Sequence, residues 1–168
     1  MEKDFKKKAL IFVAIFVPGL LLDQLSKLWA RKELSSNEKV LIKKVLEFRF
    51  LKNSGAVWGS FQGNAVILGI ISVILIGGLF YLLVKLPYSK KNLPLLIAIA
   101  LIVCGAVGNL IDRFCLKYVT DFIYFKLINF PIFNVADIYV TCSTIMLIIL
   151  ILFVYKDEDF EWLKRKKN

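Results

Sequence analysis

Asp23, Asp112, Asp121 and Asp137 stand within or beside long apolar runs of the sequence. An ionisable side chain at membrane depth is costly, so each is a candidate for function. The chain has no histidine. That removes Ser–His and Cys–His catalysis and imidazole-based metal sites. Cys104, Cys115 and Cys142 form no C-x-x-C pair, and a thiol in an apolar run acts as a small hydrophobe. Carboxylate chemistry is what remains. Asp121 lies in Val119-Thr120-Asp121-Phe122-Ile123 and Asp137 in Phe133-Asn134-Val135-Ala136-Asp137-Ile138. Neither has a cation three or four residues away in its own segment, unless the stretch from Lys117 to Asp121 is helical. Apolar surroundings raise a carboxyl pKa. Two carboxyls brought together share one proton, so that one serves as base for a water and the other as acid for a carbonyl oxygen. Such a pair suffices for peptide-bond hydrolysis without His, Ser or metal. Two plainer readings stay open, a helix N-cap for Asp137 and a solvated loop aspartate for Asp121.

The other polar groups have helical spacing. Asp23 and Lys27 are i,i+4 and can pair on one face. Asn109 stands three and four residues before Asp112 and Arg113, which reads as a second ion pair, Asp112 with Arg113. Both pairs read as ties between helix ends. Together with Asn134 and Asp137, these groups converge on one end of the apolar runs.

The elements that must position them are four helices. The chain has 168 residues, 58% of them hydrophobic, with a net charge of +10 and a mean hydropathy of +0.69. Soluble domains run at roughly 45–50% apolar. The excess lies in runs at about 9–28, 65–84, 93–111 and 138–155, each near the ~20 residues that cross a bilayer. Pro18-Gly19 falls inside the first run, as a kink site. The first run ends in Asp23, Gln24 and Lys27 without a cleavage-site pattern, so it reads as a retained helix rather than a signal peptide. The fold class is therefore an all-α polytopic membrane protein, a single domain over 1–168. Outer segments at about 30–63 and 114–137 complete it. The first of these carries Leu46-Glu47-Phe48-Arg49-Phe50, an alternating strand signature, followed by the turn Asn53-Ser54-Gly55, and predicts a small extracytoplasmic β-sheet. The second is aromatic-rich and reads as an outer loop or short helix between helices 3 and 4. Lysine clusters at Lys6–Lys8, Lys90–Lys91 and Arg165–Lys167 favour cytoplasmic termini. The positive charge reads as a partner for lipid headgroups, and no base-stacking pattern suggests nucleic acid.

Five motifs, in order, resemble the bacterial lipoprotein signal peptidases (signal peptidase II): Asp23-Gln24-Leu25-Ser26-Lys27, Asn53-Ser54-Gly55-Ala56-Val57-Trp58-Gly59, Gly105-Ala106-Val107-Gly108-Asn109-Leu110-Ile111-Asp112-Arg113, Val119-Thr120-Asp121-Phe122 and Phe133-Asn134-Val135-Ala136-Asp137. The chain departs from the usual family residues at Cys104, where a Gly is common, and at Val57-Trp58. The resemblance implies an intramembrane aspartyl endopeptidase of the bacterial plasma membrane, with its site at the extracytoplasmic face. It implies a prolipoprotein substrate cut just before a diacylglyceryl-modified cysteine, membrane lipids as surroundings, a monomer, and no metal or cofactor. It carries the catalytic roles to Asp121 and Asp137. Support and substrate positioning fall to Asn53, Asn109, Arg113, Asn134, Asp23, Lys27, Asp112 and Gly108. Ala136 is expected to leave space for a substrate, and Trp58, Phe61 and Phe122 to cover the site. A Ser54–Lys27 peptidase and a proton-coupled transporter are the competing readings.

Overall fold

In a computed structural model, residues 2–55 and 65–163 are described. Trp58, Phe61 and the cluster Arg165–Lys167 lie outside them. Helix α1 runs over Glu2–Glu33, α2 over Ala65–Lys85, α3 over Leu93–Leu116 and α4 over Val135–Ile149, continuing as a π-helical stretch over Leu150–Val154. All four are long and apolar enough to cross a membrane. The first is longer than its apolar run. At 1.5 Å per residue its 32 residues extend about 48 Å, well beyond a hydrocarbon core of about 30 Å. Good helix formers in the basic tail extend it at one end, and Trp29–Glu33 extend it at the other. Asp23 and Lys27 are therefore mid-helix residues rather than end residues.

Helix α3 is the central one. More than half of its apolar window is buried (56%), against 11% for each of the others, and it packs on α1, α2 and α4. Small residues make this approach possible. A Cβ on Gly105 would collide with the Ala136 carbonyl, and one on Gly108 with Asp23 Oδ2. Cys104 is fully buried opposite Gly19, where a Cβ would meet its sulfur at 2.9 Å. The larger residue on α3 is thus accommodated by a glycine on α1.

At the end bearing both described termini, Leu83, Leu86, Leu96, Ile99, Val103, Leu150 and Tyr155 form one apolar cluster, with Phe160 and Trp162 of the tail packed against it. Lys8 is nearly buried there. Its ammonium donates to the carbonyls of Leu83, Val84 and Leu86 at 3.1, 3.0 and 2.8 Å. It therefore caps the C-terminus of α2, whose last carbonyls have no partner within the helix.

At the opposite end lies a three-stranded antiparallel sheet in the order β1-β2-β3, formed by Lys39–Ile42, Leu46–Asn53 and Val119–Phe125. Its third strand replaces much of the predicted loop or short helix. Only the turn Lys126–Ile128 is helical there, as a 3-10 turn. The alternation of β3 was illegible because Val119 through Phe122 are all buried, and a strand covered on both faces shows no period of two. The sheet packs on the end of α1 through Trp29, Ala30, Leu34, Phe48 and Phe122. Phe122 is buried in this cluster and does not cover the site. Between the two apolar clusters lies a layer of buried polar side chains.

Candidate functional site

The buried layer begins on α1. Asp23 and Lys27 are both fully buried and pair at 2.9 Å. Asp23 Oδ1 also accepts the backbone N–H of Ala136 at 3.0 Å, which fixes the start of α4 against α1. Lys27 Nζ donates to Asn109 Oδ1 at 2.8 Å. A buried ion pair needs such further hydrogen bonds to offset desolvation, and here each partner has one that reaches another helix.

Asp112 does not pair with Arg113. Its carboxylate faces Lys27 at 3.9 Å and Arg31 at 3.5 Å, and accepts the backbone N–H of Thr120 at 2.8 Å. Arg31 donates to the Thr120 hydroxyl at 2.9 Å. These contacts tie the start of β3 to α1 and α3. The apolar run stops at Leu28 and gives no sign of Arg31, whereas α1 continues to Glu33 and places Arg31 at i+4 from Lys27. The Arg113 guanidinium makes no hydrogen bond and no ion pair within 4 Å among the described residues; it lies in the field of Asp137, Asp121 and Asp112 and lines the cleft on which Asp121 and Asp137 open.

Three asparagines then join the two remaining aspartates. Asn134 is the N-cap of α4: its Oδ1 accepts from the Asp137 N–H at 3.0 Å, while Asp137 Oδ2 accepts from the Asn134 N–H at 3.1 Å. This is a reciprocal capping box, so Asp137 is its third helical residue and not the N-cap. Asn134 Nδ2 donates to Asp121 Oδ1 at 2.7 Å and to Asn109 Oδ1 at 3.1 Å. Asn109 Nδ2 donates to Asp137 Oδ1 at 2.8 Å. Asn53 Nδ2 donates to Asp121 Oδ2 at 2.8 Å, and its Oδ1 accepts from the Gly55 N–H at 3.0 Å. All four carboxylate oxygens of Asp121 and Asp137 thus accept an N–H. Each amide is oriented by its other contacts: Asn109 Oδ1 faces Lys27, which can only donate, and the Oδ1 atoms of Asn53 and Asn134 accept the N–H of Gly55 and of Asp137.

Both aspartates open on one cleft of about 880 Å³, lined also by Asn53, Ser54, Ser72, Asn109, Arg113, Phe130, Phe133 and Cys142. Burial and the neighbouring Asp137 push Asp121 up to about 7, against the opposing pull of the Asn53 and Asn134 amides and the Lys27 charge. The nearest sequence cations do not relieve it: Lys117 ends α3 in a left-handed conformation, and Lys126 pairs with Glu47 at 2.6 Å. Among the described residues no group of three or more His, Cys, Asp or Glu is placed to hold a metal ion. Asp23, Lys27, Asp112 and Gly108 do not line the cleft; they belong to the buried layer beside it. Ala136 is fully buried, 3.5 Å from where a Gly108 Cβ would be. Its small size serves the close contact between α3 and α4.

The signal peptidase (SPase) II family profile matches residues 15–153. The chain belongs to the signal peptidase II family. The lipoprotein signal peptidase of Clostridium novyi (strain NT) is 42% identical over 144 residues, covering 83% of this chain and 96% of that protein. That of Clostridium tetani (strain Massachusetts / E88) is 42% identical over 155 residues, covering 89% and 95%. Two solved bacterial membrane enzymes, both determined by the in meso method, share the fold. One, at 2.3 Å resolution, has a TM-score of 0.77 and 29% identity over 94% of this chain and 93% of its own. The other, at 1.9 Å, has a TM-score of 0.75 and 31% identity over 86% and 94%. Signal peptidases II are aspartic peptidases that remove signal peptides from prolipoproteins, and this chain is a membrane-embedded member.

Proposed function

We propose that Asp121 and Asp137 are the catalytic pair of this signal peptidase II. The observation that carries the reading is the shared asparagine network: Asn109 and Asn134 each bind a carboxylate and each other, at the wall of one cleft. The pair holds one proton and a water. The ionised carboxylate takes a proton from the water as it attacks the scissile carbonyl; the protonated one donates toward the developing oxyanion. The pair titrates as a unit. Arg113, whose guanidinium is attracted by Asp137 and Asp121 and makes no side-chain hydrogen bond among the described residues, and Asn53 orient substrate carbonyls. The cleft extends from the polar pair to Ser72 on α2 and Thr141 and Cys142 on α4, at membrane depth. It therefore suits a diacylglyceryl-cysteine whose acyl chains remain in the bilayer, with the bond before that cysteine at the carboxylates. The lysine clusters support cytoplasmic termini, with the carboxylates at the extracytoplasmic face, and the enzyme works as a monomer.

The Ser54–Lys27 alternative is disfavoured, because Lys27 is held by Asp23 and Asn109 and a paired ammonium is a poor base. A transporter site belongs near the midplane, whereas these carboxylates sit at one end of the bundle. The experiment is cleavage of a prolipoprotein with and without the diacylglyceryl group, with the product read by mass spectrometry. A single cut before the modified cysteine is expected. Equal cleavage of the unmodified precursor, or a cut elsewhere, would refute the substrate assignment.

A further inference from the structure

The sheet has a second end, away from the carboxylates. Strands β2 and β3 run from Asn53 and Asp121 to a tip formed by the β1–β2 hairpin and the turn Lys126–Ile128, joined by the Leu127 N–H to the Val45 carbonyl at 3.4 Å. This tip is apolar and exposed. Leu127 and Ile128 are each 69% exposed, Ile42 54% and Leu41 50%. In a sheet standing in water such side chains would be a liability.

Two observations say what covers them. The apolar strip is continuous with the bilayer-facing protein: it passes from Ile128 through the exposed ring of Phe130, which packs edge-on against Phe133 at 5.7 Å, into the cleft wall that reaches Ile138 and Val140 on α4. The strip is also flanked by cations. Lys43 and Lys44 form the hairpin turn and are exposed. Lys44 adopts φ 65°, a left-handed conformation that favours glycine or asparagine, and it carries a long cationic side chain there. Lys126, next to Leu127, is held by Glu47 at 2.6 Å, so the cations left for headgroups are Lys43 and Lys44. Aliphatic side chains flanked by lysines match a bilayer interface, with apolar groups below the headgroups and ammonium groups among anionic phosphates.

The geometry points to the tip of the sheet, Leu41–Lys44 with Lys126–Ile128, as a second membrane contact that seats in anionic phospholipid headgroups independently of the four helices. Two strands then connect this lipid contact to the dyad end.

The test uses the full chain at one copy per nanodisc, with Ile128→Trp, and Leu127→Trp as a second reporter should the first not fold. Emission of the added tryptophan is read as the difference from the parent protein, in discs of phosphatidylglycerol or phosphatidylcholine with brominated acyl chains. Loss of emission by bromine quenching is expected, deeper in phosphatidylglycerol, with that difference abolished by Lys43→Glu/Lys44→Glu. No quenching in either lipid would overturn the contact. Equal quenching in both lipids, unchanged by the lysine substitutions, would overturn the anionic preference. Shielding from water that appears only with two copies per disc would assign the tip to a second copy of the chain instead.

Discussion

Asn109 stands directly between Lys27 and Asp137, accepting from the ammonium at 2.8 Å and donating to the carboxylate at 2.8 Å. The lysine therefore acts on Asp137 without touching it: it fixes which end of the amide faces the carboxylate. Replacing Asn109 with Leu removes that donor and leaves the fold's apolar clusters intact. A displacement of about 1 Å at a catalytic group costs on the order of 10²-fold. Asn109→Leu should lower kcat by about that factor with little change in KM, in a steady-state assay on lipid-modified substrate. An unchanged kcat would remove Asn109 from the positioning chain.

The buried Asp23–Lys27 pair predicts an asymmetry between single and double substitutions. Lys27→Met leaves Asp23 buried without its cation and should destabilise by about 3–5 kcal/mol. Asp23→Leu/Lys27→Leu removes both charges and should melt above the single variant. Both should be poorly active, because Asp23 also holds the Ala136 N–H and Lys27 holds Asn109. Equal melting temperatures for single and double variants would contradict the uncompensated-charge account.

Glycine positions separate packing from propensity. Gly108→Ala puts a methyl against the Asp23 carboxylate, whereas nothing lies within 4 Å of a Cβ at Gly77. Overpacking typically costs about 1–3 kcal/mol. Gly108→Ala should therefore lower both the melting temperature and kcat, and Gly77→Ala should lower neither. Ala136→Leu belongs with Gly108→Ala, since its side chain is buried against the same surface. Its loss of activity should come with a loss of stability.

Asp121 gives a pH dependence with a definite sign. Its carboxyl is pushed from 3.8 up to about 7. Between those values the folded protein retains a proton that the unfolded chain has lost. Stability should therefore fall as pH rises across this window and level off above it. Asp121→Asn should flatten that slope in thermal melts. The wild-type kcat should fall as pH rises through about 7, where the shared proton leaves.

At the far end of the bundle, Lys8→Met removes three hydrogen bonds, two to carbonyls of α2 and one to Leu86 just past its end. A hydrogen bond from a charged group contributes about 1.5–3 kcal/mol. A loss of that order in stability, with kcat unchanged, is expected from unfolding and turnover measurements.

The membrane architecture was legible because a lipid-facing helix must be apolar over its whole span, and the sequence shows four such runs. The aspartates were legible for the same reason, as costly exceptions in apolar context. The Asp23–Lys27 pair is legible from its i,i+4 spacing; pairing between different helices is not. Sequence proximity suggests Arg113 as the partner of Asp112, but its partners Lys27 and Arg31 come from another helix. Strand β3 was hidden by burial on both faces. The apolar run begins at Ile138, but α4 begins three residues earlier at Val135, and this hides the capping box that joins Asn134 to Asp137. Lys8 read as one more interfacial lysine, and only the neighbouring end of α2 makes it a cap.

The most direct test compares the purified wild type with Asp121→Asn and Asp137→Asn on a diacylglyceryl-modified prolipoprotein, each variant first shown to be folded by thermal melting. Cleavage by the wild type and its loss in both variants is the predicted result. Cleavage that survives in either folded variant would contradict the paired-carboxylate mechanism.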